Sequence, residues 1–200
     1  MIHAFLFDIG NVLVHFDFLH AANAILPHCD ATDVGELLQR IDADKLRYED
    51  GQMPRADFLC AAFAALKYRG TEAEFIAAWQ CIFSANAPMH QLVERLRGRH
   101  PLYLLSNTND IHVEGLFRDF PVFQHFAGAT YSHLARASKP HRAIYEIACR
   151  DHALEPSTTL FIDDLAANIA TAHALGFQTH HYHPERHDAL LDALRDLKLS

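Results

Sequence analysis

Ile2-His3-Ala4-Phe5-Leu6-Phe7 runs into Asp8-Ile9-Gly10-Asn11 near the start of a 200-residue chain. A short apolar run with aromatic content that stops at an acidic residue and a Gly-Asn turn predicts a buried parallel strand ending in a loop. The same grammar returns twice. Leu102–Leu105 meets Ser106-Asn107, and Thr159–Ile162 meets Asp163-Asp164. Gly128–Tyr131 and Phe177–Tyr182 are weaker strand candidates. Helical patterns fall between these runs at Pro88–Arg97, Ile111–Arg118, Pro140–His152 and Leu165–Leu175, the last with Gly176 as its C-cap. Alternating strands and helices predict an α/β fold, a three-layer, doubly wound and mainly parallel sheet. Ligands of such sheets bind beyond the carboxyl ends of the strands. The three polar clusters fall at those ends.

Residues 18–83 break the alternation. Their periodic segments, Phe18–Leu26, Val34–Ile41, Arg55–Leu66 and Glu72–Phe83, all read as helices. The expected organisation is therefore an α/β core made of residues 1–16 and 86–200, with an inserted helical cap over residues 17–85.

Half of the residues are hydrophobic, enough to bury a sizeable core. A formal charge of −8 gives no basic field for nucleic acid or an acidic membrane, so a small molecule is the expected partner. Oligomeric state is left open. The four cysteines form no CxxC pair, and no apolar run is long enough for a signal peptide or a membrane span. A soluble protein of the reducing cytoplasm is expected.

Phe7-Asp8-Ile9-Gly10-Asn11-Val12-Leu13, Ser106 after its strand, Lys139-Pro140, and Asp163-Asp164 with Asn168 occur in this order along the chain. Singly, each has an ordinary explanation: a turn aspartate, a loop serine, a surface lysine, a helix cap. Together they resemble the four motifs of the haloacid dehalogenase superfamily. The wording is most similar to the group that contains α-D-glucose-1-phosphate phosphatase and the N-terminal phosphatase domain of soluble epoxide hydrolase. Pro140 also suits the first turn of a helix, which predicts that Lys139 lies near a helix N-terminus, where positive potential gathers.

The resemblance implies an HAD-like fold and a Mg²⁺-dependent phosphatase acting on a small phosphorylated metabolite, with sugar phosphates one such class. It implies catalytic roles for Asp8 as nucleophile and for Ser106 and Lys139. Ser106, Asn107 and Lys139 would bind substrate, and Asp8, the Gly10 carbonyl, Asp163 and Asp164 would hold the metal. Asn168 would support these groups from behind, and Asp164 would act through metal-bound water or by orienting Lys139.

In one respect the chain departs from the pattern. Most phosphatases of the superfamily carry an acidic residue two positions after the nucleophile, and here that residue is Gly10. Such a group protonates the departing oxygen, so its loss makes turnover depend on how well that oxygen bears charge. Asp17 and His15 are the nearest substitutes in sequence, and both read as hinge or surface residues. The alternatives are a 2-haloacid dehalogenase and a regulatory relic that binds phosphate and metal with little turnover. His180-His181-Tyr182-His183 reads as a solvated strand end, because alternation splits the imidazoles between two faces.

Overall fold

The computed structural model describes residues 1–199, and its first strand explains why the opening sequence reads as it does. In β1 (Ala4–Phe7) every residue is buried. Phe5 and Phe7 face one hydrophobic cluster while Ala4 and Leu6 face another, so both sides of the strand are covered. The chain turns at Asp8–Asn11 into β2 (Val14–Phe16) and then enters four helices: α1 (Phe18–Ile25), α2 (Val34–Glu49), α3 (Arg55–Leu66) and α4 (Glu72–Gln80). Asp17 and Asp33 cap the starts of α1 and α2, and Thr71 with Glu74 forms a capping box on α4. These helices bury a second cluster, including Leu37, Ile41, Phe58, Phe75 and Trp79, which also takes in Ile111 from beyond the insertion. The chain returns through β3 (Phe83–Ala85), which pairs antiparallel with β2.

From there the alternation is regular: α5 (Ala87–Leu96), β4 (Leu102–Ser106), α6 (Asp110–Asp119), β5 (Gly128–Tyr131), α7 (Ser132–Ala135), α8 (Arg142–His152), β6 (Thr159–Asp163), α9 (Ala166–Ala174), β7 (Gln178–His181) and α10 (His187–Asp196). The five-stranded sheet runs β5-β4-β1-β6-β7, and each neighbouring pair is parallel. This is the expected α/β fold. Strand β1 sits at the centre, between β4 and β6, so the carboxyl ends of the three motif-bearing strands are neighbours.

Three local expectations need correction. Phe83 belongs to a strand rather than to the fourth helix, because it pairs with Phe16 across the two-stranded ribbon. Helix α2 runs two turns past Ile41, to Glu49. Helix α8 begins at Arg142, not at Pro140; a turn closed by His141 N–H donating to the Ser138 carbonyl precedes it.

Candidate active site

The backbone arrives at Asp8 from β1, and the carboxylate is fixed through one of its two oxygens. Oδ1 accepts from the Ile9 N–H at 2.7 Å and lies 2.7 Å from Lys139 Nζ. Among the described residues, Oδ2 has no hydrogen-bond partner. Lys139 is almost fully buried and also donates to Asp163 Oδ2 at 2.7 Å, so one ammonium links the ends of β1 and β6. Its position comes from β4: Asn107 Oδ1 accepts from the Lys139 N–H at 2.8 Å, and Asn107 Nδ2 donates to the Lys139 carbonyl at 2.9 Å. Lys139 is thus held by the Asn107 side chain, not by the start of α8.

Asp163 is completely buried and its hydrogen bonds are well filled. Its Oδ1 accepts from the Leu165 N–H and from Asn168 Nδ2, which also reaches Oδ2 at 3.0 Å. The Tyr145 hydroxyl donates to the Asn168 carbonyl and ties down that supporting residue. Asp164 accepts from Asn11 Nδ2 at 3.0 Å. Among the described residues Lys139 bonds to Asp8 and Asp163 and not to Asp164. Asn11 escaped the sequence reading; its φ of 53° puts it in the left-handed region, which asparagine tolerates better than most side chains.

The electrostatics follow from burial. Burial is the largest influence on Asp8 and, with Asp163 adding to it, raises the carboxyl above its ordinary range despite Lys139. Burial also raises Asp164, opposed by its bond from Asn11. Lys139 experiences the reverse balance, because Asp8 and Asp163 outweigh burial and hold its pKa above the usual lysine value. Three carboxylates, Asp8, Asp163 and Asp164, offer oxygens within 4.8 Å of one another against a single ammonium. This excess of hard, closely spaced oxygen donors fits a divalent cation such as magnesium. Ser106 is buried at the end of β4 and lines the same cleft, together with Asp8, Gly10, Asn11, Asn107, Lys139, Asp164 and Asn168.

A family model described as haloacid dehalogenase-like hydrolase matches residues 2–176. The chain belongs to that family. Among relatives of this haloacid dehalogenase-like hydrolase is D-ribitol-5-phosphate phosphatase of Bacteroides thetaiotaomicron, 26% identical over 201 residues covering 92% of this chain and 93% of the relative. A HAD-family enzyme of the same organism, solved in complex with magnesium and inorganic phosphate, superposes with a TM-score of 0.81 at 26% identity, covering 92% of this chain and 96% of that one. A predicted HAD-like family hydrolase from Porphyromonas gingivalis gives a TM-score of 0.80 at 26% identity, with 98% of each chain covered.

Around the remaining candidates this hydrolase is plain. Asp17 caps α1 by accepting from the Leu19 N–H. His181 lies at the end of β7 with its Nε2 2.8 Å from the Asp164 carbonyl, and the only cluster of potential metal ligands among the described residues is the aspartate triad. At Gly10 an added Cβ would stand 3.0 Å from Cε1 of Phe16, so the ring of Phe16 would have to give by a few tenths of an ångström to admit a side chain at position 10. Among the described residues, no helix is long and apolar enough to cross a membrane.

Proposed function

We propose that the protein is a magnesium-dependent phosphatase that hydrolyses a small phosphorylated metabolite through an aspartyl phosphate on Asp8. The observation that carries this reading is the asymmetric hold on Asp8, whose Oδ1 is engaged by Ile9 and Lys139 while Oδ2 has no hydrogen-bond partner among the described residues, with the carboxylates of Asp163 and Asp164 close by. Oδ2 attacks phosphorus in line, a bond forms from Oδ2 to phosphorus, and the bond from phosphorus to the ester oxygen breaks. The departing oxygen takes its proton from solvent, since residue 10 has no side chain to supply one. Water then attacks the acyl phosphate, releasing inorganic phosphate and restoring the carboxylate. Lys139, Ser106 and the Asn107 N–H would hold phosphoryl oxygens as their charge shifts, a role supported by all three residues lining the cleft with Asp8. Magnesium bound by Asp8, the Gly10 carbonyl, Asp163 and Asp164 would neutralise charge on the phosphoryl group.

One relative is a D-ribitol-5-phosphate phosphatase, which supports a polyol phosphate as the substrate class. The test is a panel of phosphorylated metabolites assayed with magnesium and with excess chelator, combined with acid-quench trapping of phosphorylated protein. Turnover that needs magnesium, with phosphate trapped on Asp8, is expected. Full turnover in chelator would overturn the metal assignment, and chloride release from a 2-haloacid with no phosphatase activity would establish a dehalogenase instead.

A further inference from the structure

Beside the phosphate cleft lies a second cavity of about 200 Å³, roofed by the inserted helices. The two share Gly10, Phe16, Ser106 and Asn107, so an ester whose phosphorus sits at Asp8 can send its organic part across that border. The wall on the far side is mostly apolar and aromatic, built from Phe18, Ile82, Phe83 and Leu116. Into it α2 sends two charged side chains one turn apart, Lys45 and Glu49.

These two residues stand where the buried face of α2 would otherwise carry apolar ones. Leu37, Ile41 and Tyr48 mark that face, and Lys45 falls on the same helical repeat, four residues after Ile41. Both side chains are largely shielded from solvent, at 18% and 17% exposure, yet Lys45 Nζ lies 3.4 Å from Glu49 Oε2, a loose approach that leaves most of their hydrogen-bonding capacity unused. The ammonium also lies 5.1 Å from the centre of the Phe18 ring. Burial raises the Glu49 carboxyl above its ordinary range, even with Lys45 beside it. A shielded, incompletely bonded ion pair is costly unless further polar groups complete it. At the mouth of the cavity Phe16 is 42% exposed and offers an aromatic face.

We propose that Lys45 and Glu49 read two neighbouring hydroxyls on the leaving group, which makes the substrate a sugar or sugar-alcohol phosphate. This deepens the phosphatase reading and rests on it. A diol presents one hydroxyl to donate to the carboxylate and another to accept from the ammonium, while its C–H face lies on Phe16. A second anion on the substrate fits less well, because Glu49 would repel it at the position where Lys45 would bind it.

The test compares D-ribitol 5-phosphate with n-pentyl phosphate, an ester of the same chain length without hydroxyls, on the native protein and on Lys45→Met, Glu49→Leu and Glu49→Gln. Hydrogen bonds to charged groups predict that the ratio of kcat/KM for the polyol over the alkyl ester falls about tenfold to a hundredfold in Lys45→Met and Glu49→Leu. The loss should lie mainly in KM, with partial retention in Glu49→Gln, whose amide still accepts. A ratio unchanged in both apolar variants overturns the proposal, as does a native preference for a phosphorylated acid that Lys45→Met alone abolishes. Native enzyme that hydrolyses both esters without preferring the polyol also overturns it and leaves the phosphatase reading standing. Absence of turnover on every ester, with no trapped phosphoenzyme, overturns the phosphatase reading itself.

Discussion

The ends of β1, β4 and β6 and the last two turns of α2 face each other across one border, and they present their polar groups in opposite ways. At the strand ends, each group is held by several bonds from different elements: Lys139 by Asn107, Asp8 and Asp163, and Asp163 by Asn168 and the Leu165 N–H. On α2, Lys45 and Glu49 touch mainly each other, and their position comes from one helix. A reaction common to many esters needs groups already fixed for the transition state, whereas discrimination among leaving groups needs groups with bonds to spare. Tight wiring at the strand ends and open valence on the helix match that division.

The strongest way to break the comparison is Asp8→Asn. If the strand ends carry the chemistry, this change should abolish turnover of polyol and alkyl esters alike, because the amide keeps the shape and removes the nucleophilic charge. A steady-state assay should find less than about a hundredth of native kcat on any ester, a loss within the range expected for removing a group essential to the step. Retention of several per cent would show that another group attacks phosphorus.

Gly10 offers a sharper cut, since it sits on the border itself. With no acid there, log kcat/KM in the native enzyme should fall steeply as the leaving-group pKa rises across a series of esters. Gly10→Asp alone asks the Phe16 ring to give by a few tenths of an ångström, because its Cβ would lie 3.0 Å from Cε1, and a ring that is 42% exposed has room to do so. Gly10→Asp is expected to show a shallower dependence, and Gly10→Asp with Phe16→Ala, which removes the close contact, to show it as well. A shallow dependence already present in the native enzyme, with chemistry rate-limiting, would mean that a group elsewhere protonates the leaving oxygen.

The smallest effect concerns the seam between the two regions. His112 on α6 is buried against Phe18, Trp79 and Phe83. Burial, with Lys45 nearby, pushes its pKa down from 6.5 to about 3. The folded state then binds fewer protons here than the unfolded chain does, so this residue withdraws stability as pH falls from 6.5 towards about 3. His112→Gln should cost stability at neutral pH, and chemical denaturation at several pH values should show that cost shrinking below pH 6.5, by up to about 1.4 kcal/mol per unit. A difference independent of pH would mean that the imidazole is not kept neutral by burial.

Much of this arrangement was legible in the sequence, for a physical reason. A strand buried on both faces must be apolar throughout, so a polar residue such as Asp8, Ser106 or Asp163 marks its end and points to the ligand side of the sheet. The whole set of expected residues gathers around one cleft on that side. The helix carrying Lys45 and Glu49 was less legible, because the run Asp42–Glu49 is largely polar and ends the apolar periodicity at Ile41. Packing of Tyr48 beneath Phe58 carries the helix onward, and that contact depends on α3. Asn11 left no sequence signal beyond its place in a turn. The Lys139 loop was misplaced because a proline near a helix start fits both the first helical turn and the turn before it.

The pairing of β2 with β3 has a further consequence. Phe16 and Phe83 face each other as partners, so the chain leaves the sheet domain and comes back to it at nearly one point. Everything between them is, in topological terms, a graft on a single stem. Exchange of the intervening helices for another set, spliced at that pair, would keep the order of the five-stranded sheet but must also restore a cover for α6, whose Ile111 and His112 pack against these helices. Such chimaeras would let one hydrolytic centre be offered a succession of different roofs.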